Sequence, residues 1–437
     1  DFGISTQLSN EIAEVINPNL LEGTISYVSP EQTGRINRSI DYRSDFYSLG
    51  VTFYELLTNK LPFEGNDSME IVHSHIAKTP IPPSTIKKSI PTVISNIVMK
   101  LLEKSPENRY QSALGIKYDL EKCLEQLNTS KIIEPFEIAQ KDYSAKFQIP
   151  QKLYGREAET EILLNIFNKA TEGVGELLLV CGQPGIGKTA LVKEILKPIV
   201  EKKGYFIKGK YDQFKVNIPY SAISYAFDSL IKEILSEPKD VLLQWKTDLL
   251  EAFGPNGQLI IDIIPEIEQI IGPQPPLQEL NTTEAQNRFL MIFTNFVKVV
   301  STANHQLVLF LDDMQWCDQP SLNLIKDIIT KSVPHFMLIC AYRDKEVGEG
   351  HPFNIALDEI TKTHSYEKLE LQPLKKDSVE TLISDTMQPY ASDIVALTEI
   401  IYRKTNGNPF FINELLKSLY KNKLLSFNHN TEQWSWD

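Results

Sequence analysis

Apolar residues recur along this chain with helical spacing at first and in short continuous runs further on. From Ser44 to Leu57 the sequence is largely apolar, and from Val93 to Leu102 and Ala113 to Leu124 apolar residues return at steps of three and four. Such steps stack side chains on one helical face, so the first region is predicted to be mostly helical. Pro80-Ile81-Pro82-Pro83 bends it, and Asn128 to Gln151, polar and without a clear period, reads as a linker. Then come a helix (Glu157 to Lys169), a strand (Glu176 to Cys181), a helix (Thr189 to Glu201) and a strand (Tyr205 to Lys210). A long helical stretch reaches Ile271, followed by a strand (Leu307 to Leu311), a helix (Pro320 to Thr330) and a strand (Phe336 to Tyr342). Strands alternating with helices predict a parallel sheet. A last helical segment, Lys376 to Leu419, leads into Leu424 to Trp436, where Asn428 to Thr431 read as a turn between short strands.

At 437 residues the chain exceeds one core, and about 100–200 residues per domain predicts two to four domains. The net charge of -13, from 44 Lys plus Arg against 57 Asp plus Glu, gives no electrostatic case for nucleic acid or an anionic membrane. Apolar runs such as Leu177 to Cys181 fall far short of the roughly 20 residues of a membrane span, and no signal peptide is visible. Cys123, Cys181, Cys317 and Cys340 form no C-x-x-C pair and lie near no histidine in zinc spacing, so they are expected to be reduced core thiols of a cytoplasmic protein. His73 and His75, two apart on a helical pattern, face different ways and predict no metal site. The chain begins at Asp1 without an initiator Met, inside a motif, and is expected to be a piece of a longer protein.

Gly182-Gln183-Pro184-Gly185-Ile186-Gly187-Lys188-Thr189 fits G-x-x-x-x-G-K-[ST] in full, with a strand before it and a helix after it. Glycines there let backbone N–H groups turn inward around phosphate oxygens, and the helix starting near Thr189 adds the positive end of its dipole. Lys188 is placed to reach the β- and γ-phosphates of ATP, and the Thr189 hydroxyl to ligate magnesium. The plainer reading, a tight glycine turn with a solvated lysine, is disfavoured by the strand-loop-helix setting. The strand from Leu307 ends in Asp312, placed to hold magnesium beside the phosphates. Asp313 either polarises the attacking water or only orients it, and a solvated Asp-Asp turn is the simpler alternative.

Gly155-Arg156-Glu157, the P-loop, Asp312-Asp313-Met314-Gln315-Trp316-Cys317-Asp318, Ala341-Tyr342-Arg343-Asp344 and Gly407-Asn408-Pro409-Phe410 follow one another in that order. In this the chain from about residue 150 to 437 resembles the signal-transduction ATPases with numerous domains, which are AAA-related nucleotide switches. The resemblance implies that Arg343 senses the γ-phosphate, that Pro409 packs on the adenine, and that a winged helix continues after the helical domain. Without it, Arg343 is a surface arginine and Gly407-Asn408-Pro409 an ordinary turn.

Asp1-Phe2-Gly3, Gly23-Thr24, Ser29-Pro30-Glu31, Asp45 to Gly50 and Arg109 fall in the order of a protein-kinase C-lobe after its catalytic loop. Resemblance to that family assigns Asp1 to magnesium, Phe2 to the hydrophobic spine, and Thr24 to steadying the catalytic aspartate. It pairs Glu31 with Arg109 and has Asp45 cap the next helix and brace the catalytic loop; a plain N-cap is the simpler role for Asp45. Ser5, Thr6 and Ser9 are candidate phosphosites or solvated loop hydroxyls. The segment from Gly34 to Asp45 narrows the likeness to cyanobacterial-type multisensor kinases, which add GAF sensors and a histidine kinase to these two modules. The Gly-rich loop, ATP-binding lysine and catalytic H-R-D loop precede Asp1, so the fragment alone is expected to lack a kinase active site.

The expected architecture is a multidomain one. A helical kinase C-lobe (1–127) and a linker (128–150) precede an α/β P-loop ATPase core with a parallel sheet (151–375), a helical subdomain (376–420) and the start of a winged helix (421–437). The expected function is part of a signalling Ser/Thr kinase whose fused ATPase gates its output, using ATP and magnesium. Expected partners are protein substrates, further modules of the same polypeptide and, in the ATP state, copies of itself; nucleic acid is not among them. Two other classes stay open: a scaffold that binds ATP and barely hydrolyses it, with a pseudokinase docking lobe, and an ATP-dependent transcription regulator.

Overall fold

The computed structural model describes residues 25–36, 38–65, 68–143, 146–214, 218–278, 281–389, 393–428 and 431–437. Asp1, Phe2, Gly3, Ser5, Thr6, Ser9, Gly23 and Thr24 lie outside the described residues. The helices, in chain order, begin with α1 (Arg43–Thr58), α2 (Ser68–Ala77), α3 (Pro83–Ile86), α4 (Thr92–Leu101) and α5 (Ala113–Ser130). Next come α6 (Glu157–Thr171), β1 (Glu176–Cys181), α7 (Lys188–Val192), α8 (Leu196–Glu201), β2 (Tyr205–Lys210), α9 (Ser221–Ile234), α10 (Lys239–Phe253), α11 (Gly257–Ile261) and α12 (Glu268–Ile271). They are followed by α13 (Thr282–Val300), β3 (Leu307–Asp312), α14 (Gln319–Thr330), β4 (Phe336–Tyr342), α15 (Pro352–Ile360) and β5 (Glu367–Glu370). Last are α16 (Lys376–Thr386), α17 (Ile394–Thr405), α18 (Pro409–Lys421), β6 (Leu425–Asn428) and β7 (Gln433–Trp436). The chain divides into two compact units, residues 156–373 and residues 1–155 with 374–437.

Residues 156–373 hold a five-stranded sheet in the order β2-β3-β4-β1-β5, parallel throughout. Its interior strands β1, β3 and β4 are apolar, as a sheet covered on both faces requires. β5 escapes a reading by period because only Leu369 of its four residues is buried, which suffices for an edge. Two helices, α13 and α15, were also not expected: the second half of α13 is apolar almost without a break, which hides its period. Its Phe293 and Phe296 pack with Phe227 of α9, ring centroids 5.2 Å apart in both pairs. The helix expected from Thr189 to Glu201 tightens into a 3-10 turn at Lys193–Ile195, because Pro198 offers no N–H to the carbonyl four residues earlier. The stretch to Ile271 breaks into four helices, at Pro238, at Gly254-Pro255 and at Pro265.

In the other unit, Tyr47, Val51 and Tyr54 of α1 pack on Val98 and Leu102 at α4. Asp45 is not a helix cap. It is an exposed residue of the first turn of α1, and the residue before the helix is Tyr42. The carboxylate that closes this end is Asp41, which accepts the Arg43 N–H at 2.8 Å and pairs with its guanidinium at 2.7 Å. Among the described residues from 131 to 155 there is no helix or strand, yet they form a packed strap. Ile133, Phe136 and Ile138 cover the α4–α5 core, and Asp142 accepts the N–H groups of Gln111 and Ser112 at 2.7 and 2.9 Å. Gln148 donates to Asp41 at 2.6 Å, while Phe147 stacks on Tyr420 of α18 with centroids 4.5 Å apart. Helices α16 to α18 and the antiparallel β6–β7 hairpin share a core that includes Leu382, Ile401, Leu416 and Trp434.

His75 is buried in α2, its Nδ1 2.9 Å from the Tyr47 hydroxyl and its ring against Phe63. Burial, helped by the Lys104 ammonium, lowers its pKa from 6.5 to about 3. The folded chain thus keeps His75 neutral while the unfolded chain protonates it. Between pH 6.5 and about 3 the unfolded state binds more protons, so stability falls as pH drops through that window. The slope for one such group is at most about 1.4 kcal/mol per pH unit. Denaturation midpoints at pH 7 and pH 5 should show this loss, and His75→Gln should flatten it; equal slopes in both proteins would assign it elsewhere.

Candidate nucleotide-binding site

Parallel strands deliver their carboxyl ends to one edge of a sheet, and β1, β3 and β4 bring three of the motifs there. After β1 the loop turns at Gly182, Gly185 and Gly187, with φ of 144°, 75° and 102°. A side chain at Gly182 would be strained, and its Cβ would sit 2.8 Å from the Leu371 carbonyl oxygen. Gln183, Pro184 and Gly185 form an exposed tip, anchored by the buried Ile186. Lys188, only 9% exposed, donates to the carbonyls of Gly182 at 2.7 Å and Gln183 at 3.2 Å. Burial pushes its ammonium below the ordinary lysine range, against the pull of Asp312 and Asp313.

Thr189 donates its hydroxyl to Asp312 Oδ2 at 3.1 Å, across the intervening strand β4. Burial, and then the Asp313 carboxylate, hold Asp312 above the ordinary aspartate range. A hydroxyl and a carboxylate are the hard oxygen donors that magnesium takes, so the donor set fits that ion. Among the described residues no cluster of three or more His, Cys, Asp or Glu could hold a metal by itself. Asp313 stands in the left-handed region, φ 55°, and is 6% exposed. Its Oδ1 accepts from Gln315 Nε2 at 2.9 Å and lies 3.5 Å from Arg343 Nε, and its Oδ2 lies 3.2 Å from Lys210 Nζ.

Arg343 follows β4, with its guanidinium 4.9 Å from the Trp316 ring centre and 2.8 Å from Glu346. Three residues of this arrangement were not singled out from sequence. Gln315 accepts the Arg343 N–H at 3.3 Å while holding Asp313, so it ties the end of β3 to the end of β4. Lys210 reaches Asp313 from β2, a contact that needs the β2–β3 pairing to be known. Arg156, 6% exposed, donates to the carbonyls of Ile186 and Gln372 and so braces the loop; the Gly155-Arg156-Glu157 triplet was its available signal. Pro409 is the first residue of α18, after Asn408, whose side chain caps the Phe410 N–H at 3.1 Å; it belongs to the unit without the P-loop.

In that same unit Glu31 and Arg109 form a buried two-pronged pair, at 2.6 and 2.8 Å. Arg109 spends its other donors on the carbonyls of Arg43, Glu103 and Lys104, and Ser44 donates to Glu31 at 2.7 Å. Cys123, Cys181 and Cys340 are buried free thiols and Cys317 is partly buried. No helix among the described residues is long and apolar enough to cross a membrane.

Residues 152–339 match the AAA ATPase domain and residues 1–120 match the protein kinase domain. The chain is 31% identical to hybrid signal transduction histidine kinase G of Dictyostelium discoideum, over 95% of its own length and 14% of that protein. It is 39% identical to the serine/threonine-protein kinase PknB of Mycobacterium tuberculosis, over 28% of its own length and 19% of that protein. It thus spans less than a fifth of either relative. The crystal structure of Cdc6p from Pyrobaculum aerophilum aligns with a TM-score of 0.37 and 14% identity, over 63% of this chain and 65% of that one. The chain therefore carries sequence similar to the protein kinase domain followed by sequence similar to the AAA ATPase domain.

Proposed function

We propose that residues 156–373 bind magnesium ATP and hydrolyse it, as a regulatory switch fused to a signalling Ser/Thr kinase. The observation that carries this is the meeting of Thr189 with Asp312 beside a buried Lys188, with Asp313 and Arg343 at the adjoining strand ends. Bound magnesium ATP supplies the phosphoanhydride to be cleaved and neutralises part of its own charge. The chain's residues do the rest. Lys188 exchanges its carbonyl partners for phosphate oxygens, Thr189 and Asp312 hold the ion, and Arg343 reads the terminal phosphate. Asp313 accepts a hydrogen bond from the attacking water, whose oxygen bonds to the γ-phosphorus as the bond to the bridging oxygen breaks.

A second reading is favoured by one feature: Gln315, Lys210 and Arg343 already occupy both oxygens of Asp313. A carboxylate so engaged is a weak base, which suits a scaffold that binds ATP and scarcely turns it over. Single-turnover hydrolysis separates the two. Under the hydrolytic reading, Asp313→Asn should lower the rate about 10²-fold or more while ATP affinity stays within about threefold. A variant as fast as the parent would leave Asp313 a structural brace.

The kinase reading of residues 1–120 extends to Ser/Thr transfer by the whole protein, with Asp1 on magnesium, Thr24 at the acceptor and Asp45 bracing the catalytic loop. The PknB likeness supports this. Likeness to the Dictyostelium protein supports a histidine kinase module elsewhere in the polypeptide. Assignment to the multisensor type, with GAF sensors, a winged helix continuing from β6–β7, Pro409 on the adenine, ATP-dependent self-association and a cytoplasmic setting, belongs to the same proposal.

A further inference from the structure

Past the end of β3 the chain makes one 3-10 turn, Met314–Trp316, closed where the Asp313 carbonyl accepts the Trp316 N–H at 3.0 Å. Gln315 stands in that turn, 7% exposed, with both ends of its side-chain amide bonded. Its Nε2 donates to the Asp313 carboxylate at 2.9 Å, and its Oε1 accepts the Arg343 N–H at 3.3 Å. Turning the amide over would set oxygen against carboxylate and NH2 against N–H, so its two partners fix its orientation. The Gln315 backbone is pinned as well, its carbonyl 3.1 Å from His351 Nε2. His351 Nδ1 accepts the Phe353 N–H at 3.1 Å, which in the neutral ring leaves the hydrogen on Nε2, facing that carbonyl. The amide is thus held from the end of β4 and from the start of α15, and it holds Asp313 in turn. Asp313 Oδ1 is shared between Gln315 and Arg343, whereas Oδ2 meets the exposed end of Lys210 at 3.2 Å, a contact that water can replace.

We propose that Gln315 is a positioning residue for ATP hydrolysis, acting through Asp313. This role rests on the hydrolytic reading of Asp313 and says how that carboxylate is aimed. When Arg343 turns to the terminal phosphate it gives up its share of Oδ1, and Gln315 keeps its hold there. The carboxylate then cannot rotate about its own axis, and Oδ2 is presented to the attacking water. A carboxylate free to turn is misaimed for much of the time, which costs rate and leaves the binding of ATP untouched. An apolar side chain of the same length would fill the space and leave Asp313 unheld.

The test is single-turnover hydrolysis of magnesium ATP by the full chain, with ATP affinity measured beside the rate. Gln315→Met, close to the parent in length, is expected to lower the rate about tenfold or more and to leave ATP affinity within about twofold. In an Asp313→Ala background the same substitution should change the rate by less than about twofold, because a residue that acts through a carboxylate has nothing to act on once it is gone. A merely structural role would slow both backgrounds alike. Retained affinity reports that the variant is folded. Should Gln315→Met fail that check, Gln315→Glu, which keeps an acceptor for the Arg343 N–H and loses the donor to Asp313, is expected to slow hydrolysis at least as much. A folded variant of either kind as fast as the parent, or equal slowing with and without the Asp313 carboxylate, overturns the proposal. Hydrolysis absent from a parent that binds ATP would instead remove the hydrolytic reading, and the proposal with it.

Discussion

Lys188→Ala is expected to cost the chain nearly all its affinity for magnesium ATP. Within the P-loop the ammonium is almost enclosed, so whatever it bonds to is held in a poorly screened setting. Charge-assisted contacts of a desolvated cation are worth about 2–4 kcal/mol, which converts to a loss of about 30- to 1,000-fold in Kd. Two carbonyl oxygens, those of Gly182 and Gln183, also lose their donor, so the loop itself loosens. Calorimetric titration with magnesium ATP measures the effect, and far-ultraviolet dichroism verifies that the variant is folded. Affinity equal to the parent's would remove the nucleotide assignment from Gly182 to Thr189 altogether.

The largest loss of stability is expected at Glu31→Ala. Both members of the Glu31–Arg109 pair have fully buried side chains. Removing the carboxylate strands a guanidinium whose remaining partners are neutral carbonyls, at a cost of about 3–5 kcal/mol. Arg109→Ala should be comparably harmful, because it strands the carboxylate and empties the volume beneath the Tyr47 ring, 4.9 Å from the guanidinium carbon. A Glu31→Gln/Arg109→Met double variant should recover much of either loss, since no unpaired charge is then buried. Denaturant melts of the parent, Glu31→Ala, Arg109→Ala and the Glu31→Ala/Arg109→Ala double variant, combined as a double-mutant cycle, give the coupling directly. Single variants within about 0.5 kcal/mol of the parent would mean that the pair is solvated in solution.

Much of the ATPase half could be read from the order of residues alone, because its P-loop is eight consecutive residues and its interior strands are unbroken apolar runs. What escaped reading was whatever depends on which strands become neighbours. Lys210 is simply an exposed residue of an alternating strand until β2 lies beside β3, and only then does it face Asp313. Gln315 looked like one more residue of Met314-Gln315-Trp316 until β4 brought Arg343 to it. In the kinase-like region the error was local. Two aspartates flank the start of α1, and spacing could not say that Asp41, rather than Asp45, would turn back onto the Arg43 N–H. The stretch from 131 to 155 was legible as irregular but not as packed, since its anchors are single residues such as Phe136 and Asp142 with no period to betray them.

The strap also has a bearing on how the polypeptide must be made. Residues 156–373 interrupt one compact unit with another, so Phe147 leaves the ribosome long before Tyr420 and Trp434, the rings it packs against. Synthesis at about 5–20 residues per second puts about 14 to 55 seconds of waiting between Phe147 and Tyr420, whereas local helices form in microseconds. The sheet unit, continuous in sequence, can close while the first unit still holds Phe147 and Tyr154 uncovered. Nascent chains of this architecture therefore carry an exposed aromatic edge for the whole time that residues 156–373 are being translated, and it is there that a chaperone would find its grip.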